Sequence, residues 1–452
     1  MFGALVLVVG GAVALLVVLS NGDEKGEAQE PGALVEAGSS QLPPEPDPEP
    51  PEPVPEPDPG PPSSGDSGEL DVEAALGLAR ELVEAEDFQD AVDRATEVLA
   101  RAPGEPRAHD IIGQAHQGRG DYEAAIEAFE AAVEADPANA VFQDHLGAAI
   151  SATAPASIQP IADQQVGRWP EELGTAGQAV WVANSGSASV SQLDNASGLT
   201  ADTVAVGRLP VDLEPAAGNG LWILAHTDQT LWRLDASSNT AVIHATLPDC
   251  PTDMTSGSMD AVFVLLTEQC SSGDSSIVRV ATDSGAQSES DLLQLRDTRA
   301  IQAVGDQLWV GSSETGLWLV DPDNFELMGR LLEDTSVRSL TTDGEYLLVD
   351  AFSTIYRVGP DFSVVALATL DDPVVRMYAT ERFVVAAGSS GRVFFIATAV
   401  PGQVTTVDLE IGAVNVGSVH IAGDVMFVSH YSPFDDSVGW VSSYGLTPAG
   451  ST

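Results

Sequence analysis

The spacing of apolar positions changes three times along the chain, and those changes predict its parts. Residues 2–19 are apolar without interruption, close to the minimum for a membrane-crossing helix. Residues 22–68 show no hydrophobic period, and between Pro43 and Pro59 proline alternates with acid. Residues 69–151 follow the i, i+3, i+4 spacing of amphipathic helices. From about Ala156 onward, short runs of Val, Leu, Trp and Phe are separated by Gly, Asp, Asn and Ser, the pattern of strands joined by tight turns. The predicted boundaries are 1–21 for a transmembrane anchor or signal sequence, 22–68 for an acidic Pro-rich stalk, 69–154 for helical repeats and 155–452 for an all-β domain.

The strand region rewrites one unit. An apolar strand, a small polar turn and a second strand closed by Asp run from Val180 to Asp194, from Leu221 to Asp235 and from Leu308 to Asp321. Weaker copies begin near Val262, Tyr346, Phe383 and Met426. The anchors Trp181, Trp222, Phe263, Trp309, Leu347, Phe383 and Phe427 recur at roughly 40 residues, the period of a propeller blade. Seven four-stranded copies fill the segment, but the last is one strand short, while residues 157–166 read as a strand with no blade of its own. That strand is predicted to complete the last blade and close the ring. The tryptophans fall mid-strand and are expected to pack between blades.

The helical region repeats at 34 residues: Leu78, Ile112 and Leu146 match, as do Ala79, Gly113 and Gly147, Ala91 and Ala125, and Pro103 and Pro137. Ile112-Gly113, Gly120-Asp121-Tyr122, Ala125, Phe129, Ala132 and Pro137 resemble the tetratricopeptide repeat. Small residues let paired helices approach, Phe129 and Tyr122 fill the gap, and Pro137 stops the second helix. Two and a half repeats are present. The resemblance implies a groove lined by Arg107, Asp110, Gln114 and Gln117 that holds a peptide or protein partner.

The first strand copy, followed by Thr203-Val204-Ala205-Val206-Gly207, resembles the YVTN-type and virginiamycin B lyase-like seven-bladed propellers. The fold class expected is therefore multidomain: a short all-α module, an all-β seven-bladed β-propeller and an N-terminal transmembrane helix. The resemblance implies the fold and leaves activity open, because propellers host unrelated functions.

Charge narrows the partners. The 68 acidic and 18 basic residues give a formal net charge of -50, which repels nucleic acid and anionic lipid headgroups. Proline alternating with like charges makes the stalk a stiff, solvated spacer. A long hydrophilic segment after an N-terminal apolar run is expected to be translocated, placing the bulk of the chain outside the cytoplasm on a single membrane pass. There, Cys250 and Cys270, flanking the first two strands of copy three, are expected to form a disulfide.

Charges also recur near the start of successive inner strands: Glu172, Asp212 and Asp253, then Arg299, Arg338 and Arg376, then His420. If these line the channel mouth, an acidic arc faces a basic one, a site for a zwitterionic or peptide ligand. The sequence contains no HExxH, nucleophile elbow, phosphate loop or calcium loop, so neither cofactor nor metal is expected and catalysis is the weaker reading. The function expected is an envelope-anchored, extracytoplasmic interaction scaffold engaging protein partners. The alternative is a propeller enzyme or small-ligand sensor working at the channel mouth.

Overall fold

A computed structural model describes residues 71–451, apart from 196, 258–259, 268–273, 291–292, 294, 296, 412–413 and 436. The expected N-terminal helix and the acidic stalk lie outside the described residues, as does Cys270. Among the described residues no helix is long and apolar enough to cross a membrane.

Five helices come first: α1 (Val72–Glu84), α2 (Phe88–Leu99), α3 (Pro106–Gly118), α4 (Tyr122–Ala135) and α5 (Ala140–Thr153). Their starts are written in the sequence. Asp71, Glu105, Asp121 and Asn139 each accept a backbone N–H of the first turn, satisfying donors that a helix leaves open. Pro106 occupies the first turn of α3, where a missing N–H costs nothing. The small residues Ala75, Ala79, Ala95, Ala108, Ala125 and Ala132 are buried and bring the helices into close contact. Gly113 marks a close approach, since a Cβ there would lie 2.5 Å from the Phe129 ring.

The strands form seven four-stranded antiparallel sheets. Six are simple meanders over residues 170–205, 210–246, 250–289, 298–331, 337–369 and 374–408. The seventh combines β26 (Asn415–Ala422), β27 (Val425–Tyr431) and β28 (Gly439–Pro448) with β1 (Pro155–Val166), which pairs antiparallel with β28 from Pro155↔Pro448 to Val166↔Gly439. The ring therefore closes by a strand from the start of the domain, as the short last repeat predicts.

Seven hydrophobic clusters each sit between two adjacent blades. Trp181, Trp222 and Trp309 are buried in three of them, which is the packing role their mid-strand position predicts. The core of the domain is thus a ring of interfaces, and no blade owns a core of its own.

The helices and the propeller belong to one compact unit. Phe129, Leu146 and Ile150 pack with Ala397, and Phe383, Ala399 and Val400 of blade six lie against the same cluster. Ser151 hydrogen-bonds Gln403, and Arg382 pairs with Glu123 of α4. Helix α5 ends the repeat stack and packs against blade six.

Candidate functional site

Each blade contributes one inner strand to the channel: β2 (Pro170–Ala176), β6 (Pro210–Ala216), β10 (Cys250–Thr255), β14 (Thr298–Val304), β18 (Val337–Thr342), β22 (Val374–Ala379) and β26. All seven carry a register shift near their start, for example between Pro170 and Glu172 or between Thr298 and Ala300. A bulge inserts one residue and reverses which side chains face which side beyond it.

That bulge sorts the predicted ring of charges. Glu172, Asp212, Asp253 and Arg376 follow it and line one central cavity of about 270 Å³. Arg299 and Arg338 are the bulged residues themselves and are exposed, Arg299 being paired with Asp297 at 2.6 Å. The expected basic arc does not form. A period of about 40 residues places the charges in register along the chain, but a one-residue bulge decides their direction.

The cavity is instead acidic, with one cation. Glu214, two residues beyond Asp212 and so on the same strand face, adds a fourth carboxylate; that alternation was legible in the sequence. His420 and Tyr378 complete one wall, their ring centroids 4.2 Å apart. Glu172 pairs with Arg376 at 2.7 Å and accepts from Ser418 at 3.0 Å. Asp212 accepts from the Met254 backbone N–H and Asp253 from that of Ile301, both at 2.8 Å. The bonds from Ser418, Met254 and Ile301 run between neighbouring blades, and the Glu172–Arg376 pair joins blade one to blade six, so the same carboxylates that face the cavity also fasten the ring.

Burial pushes all four carboxylates up: Glu172 against the opposing pull of Arg376, Asp212 well above its ordinary range, Asp253 to about 7 and Glu214 to about 8, with neighbouring negative charge adding to the rise of these last three. Arg376 moves the other way from a desolvated base, raised chiefly by the Glu172 charge. Desolvation holds the His420 imidazole neutral, at about 4. The cavity is therefore a desolvated, electron-rich chamber that cannot carry its full negative charge unaided.

A second grouping lies in a groove of about 700 Å³ beside blade seven. His430 Nε2 is 2.7 Å from Ser442 Oγ, and Ser442 donates to Asp163 at 2.8 Å. A hydrolytic triad needs its carboxylate on the other ring nitrogen, where it orients the imidazole. Here Nδ1 is buried with no partner and the acid sits beside the serine, so the arrangement does not activate a nucleophile. Cys250 is buried and disulfide-bonded.

In the helical module, Arg107 bonds Glu73 of α1 at 2.8 Å and Glu105 at 2.6 Å. Asp110 meets His145 of α5 at 2.6 Å and accepts from Gln114 at 2.7 Å. Arg107, Asp110, Gln114 and Gln117 all lie along α3 at spacings of three and four residues, but Arg107 and Asp110 are engaged in joining α3 to α1 and α5, and Gln114 is bonded to Asp110. Val141, one repeat on from Arg107, is 55 % exposed.

Residues 76–140 match the tetratricopeptide repeat family. No curated protein matches the chain. Among solved structures, the Kuenenia stuttgartiensis hydrazine synthase shares 13% identity over 60% of this chain and 94% of that one, with a TM-score of 0.50. The computationally designed Ika8 protein shares 11% identity over 64% of this chain and all of that one, with a TM-score of 0.45. At such identities the first likeness speaks to fold alone, and the second carries no argument. The tetratricopeptide module and the seven-bladed propeller are thus the framework for any reading of function.

Proposed function

We propose that this chain is a protein–protein interaction scaffold whose tetratricopeptide module and propeller present two surfaces to different partners. The observation that carries the reading is the tetratricopeptide match over residues 76–140, packed against the propeller through the cluster around Phe129, Ile150 and Ala397. Tetratricopeptide repeats and propellers both serve as adaptor surfaces. A fixed junction holds two bound partners at a set distance and angle. The apolar run at residues 2–19 and the acidic stalk support an envelope-anchored, extracytoplasmic placement, the stalk carrying the scaffold away from the membrane. In this reading the chain is not a catalyst.

The test is a crosslinking pull-down with the full chain from intact cells, compared with Gln117→Arg and Val141→Asp in the repeat groove. Deleting the whole module would uncover Phe383 and Ala397, so point substitutions are the cleaner probe. A specific partner lost with the groove substitutions and retained by an Arg338→Ala control supports the scaffold. Recovery of no protein partner by the full chain rejects it.

A further inference from the structure

The central cavity does more than fasten blades. Four carboxylates face one guanidinium across about 270 Å³, an imbalance that blade closure does not require. The aspartates that clip neighbouring blades each do so with one oxygen on one backbone N–H, and Glu214 accepts from Ser256, whose hydroxyl lies 3.2 Å away and also reaches the Pro215 carbonyl. His420 lines the same cavity, is only 4 % exposed, and leaves its Nε2 buried without a hydrogen-bond partner among the described residues. An orphaned buried nitrogen is costly, and the neutral imidazole offers it as an acceptor in the Nδ1–H tautomer. In that tautomer the imidazole joins the carboxylate oxygens as an acceptor, and a positively charged donor would satisfy them together.

We infer that the cavity binds a small organic amine, its ammonium held among Asp212, Glu214 and Asp253 and its carbon chain against the Tyr378–His420 wall. An ammonium group supplies donors only and adds a cation–π contact with an aromatic ring. The carboxylates are spread over three strands, Glu172 on β2, Asp212 and Glu214 on β6 and Asp253 on β10, and among the described residues no three acidic, histidine or cysteine side chains converge as a metal site would need. A ligand several atoms long suits such dispersed acceptors better than a point cation. Its arrival would let groups now held partly protonated ionise, so binding releases protons and strengthens as pH rises from about 6.5 to about 8.5. This site is independent of the scaffold surfaces, and its failure would leave them untouched.

The experiment is isothermal titration of putrescine into the full chain at about pH 8 and about pH 6.5, in buffers of differing ionisation enthalpy. A saturable isotherm is expected, tighter at the higher pH, with proton release read from the buffer dependence. Glu214→Gln and His420→Phe should each weaken it about tenfold or more, the range of a lost hydrogen bond to a charged group. Arg299→Ala and Arg338→Ala, which lie outside the cavity, should leave it unchanged. A melting curve for each variant separates lost binding from lost folding, and Glu214→Gln, a near-isosteric change, keeps the test open if His420→Phe fails to fold. Heat shared equally by wild type and the folded Glu214→Gln variant would be surface attraction to the acidic chain, and would overturn the proposal. So would the absence of saturation at about 10 mM putrescine, where binding would be weaker than about 3 kcal/mol, or displacement of putrescine by an equal concentration of Mg²⁺ or Ca²⁺.

Discussion

Arg376 and its two look-alikes show how much one side chain's direction is worth. Arg376 faces Glu172 inside the cavity, and removing it leaves that carboxylate desolvated with only the Ser418 hydroxyl and its neighbour's N–H. Breaking such a pair costs several kcal/mol when it is fully buried; with the Arg376 side chain 34% exposed, we expect Arg376→Ala to cost roughly 2 to 4 kcal/mol. Arg299→Ala and Arg338→Ala, on exposed bulge positions, should stay within about 0.5 kcal/mol of wild type. Urea denaturation midpoints of the three variants check this, and equal losses in all three would mean that Arg376 is not the cavity's structural cation.

At the scale of elements, the decisive one is β1. It covers the outer edge of β28 along its whole length, and Ile158 and Leu446 lie against the cluster between blades six and seven. Without it the seventh blade has three strands and an open edge, which invites pairing with another chain. A chain beginning at residue 167 is therefore expected to melt at least about 10 °C below one beginning at residue 155, or to aggregate on size-exclusion chromatography. Both lack the helical module, so the comparison isolates the closing strand. Identical melting would show that the ring holds without it.

For the molecule as a whole, the channel carboxylates set a pH dependence. Their ordinary values are 3.8 for Asp and 4.5 for Glu, against about 7 for Asp253 and about 8 for Glu214 in the folded chain. The folded state then holds more protons than the unfolded one, so the stability these groups contribute is present at low pH and lost as pH rises through the folded values. His420 and His430 are shifted down from 6.5, so they act in the opposite sense but only below that value. From about pH 6.5 to about 8.5 the carboxylates act alone, and the denaturation midpoint should fall across that window. Glu214→Gln should flatten the fall. A flat wild-type profile would refute the burial of ionisable carboxylates in the channel.

Much of this was legible in the residues. The 34-residue spacing of Ile112, Gly113, Ala125 and Pro137 fixes paired helices, because only small residues at those places allow the helices to touch. The recurrence of Trp181, Trp222 and Trp309 fixes blades, and the missing last strand points to closure by residues near 157–166. These are properties of periodicity, which survives a small error in register. Direction and contact do not. Whether Arg299 or Arg376 faces the channel turns on a bulge of one residue, which hydrogen bonding between strands decides. That α5 rests on blade six, and that Glu214, His420 and Tyr378 from blades two, seven and six line one cavity with Asp253, follow from closing the ring. Closure brings together residues more than 200 positions apart, and only the tertiary structure carries that information.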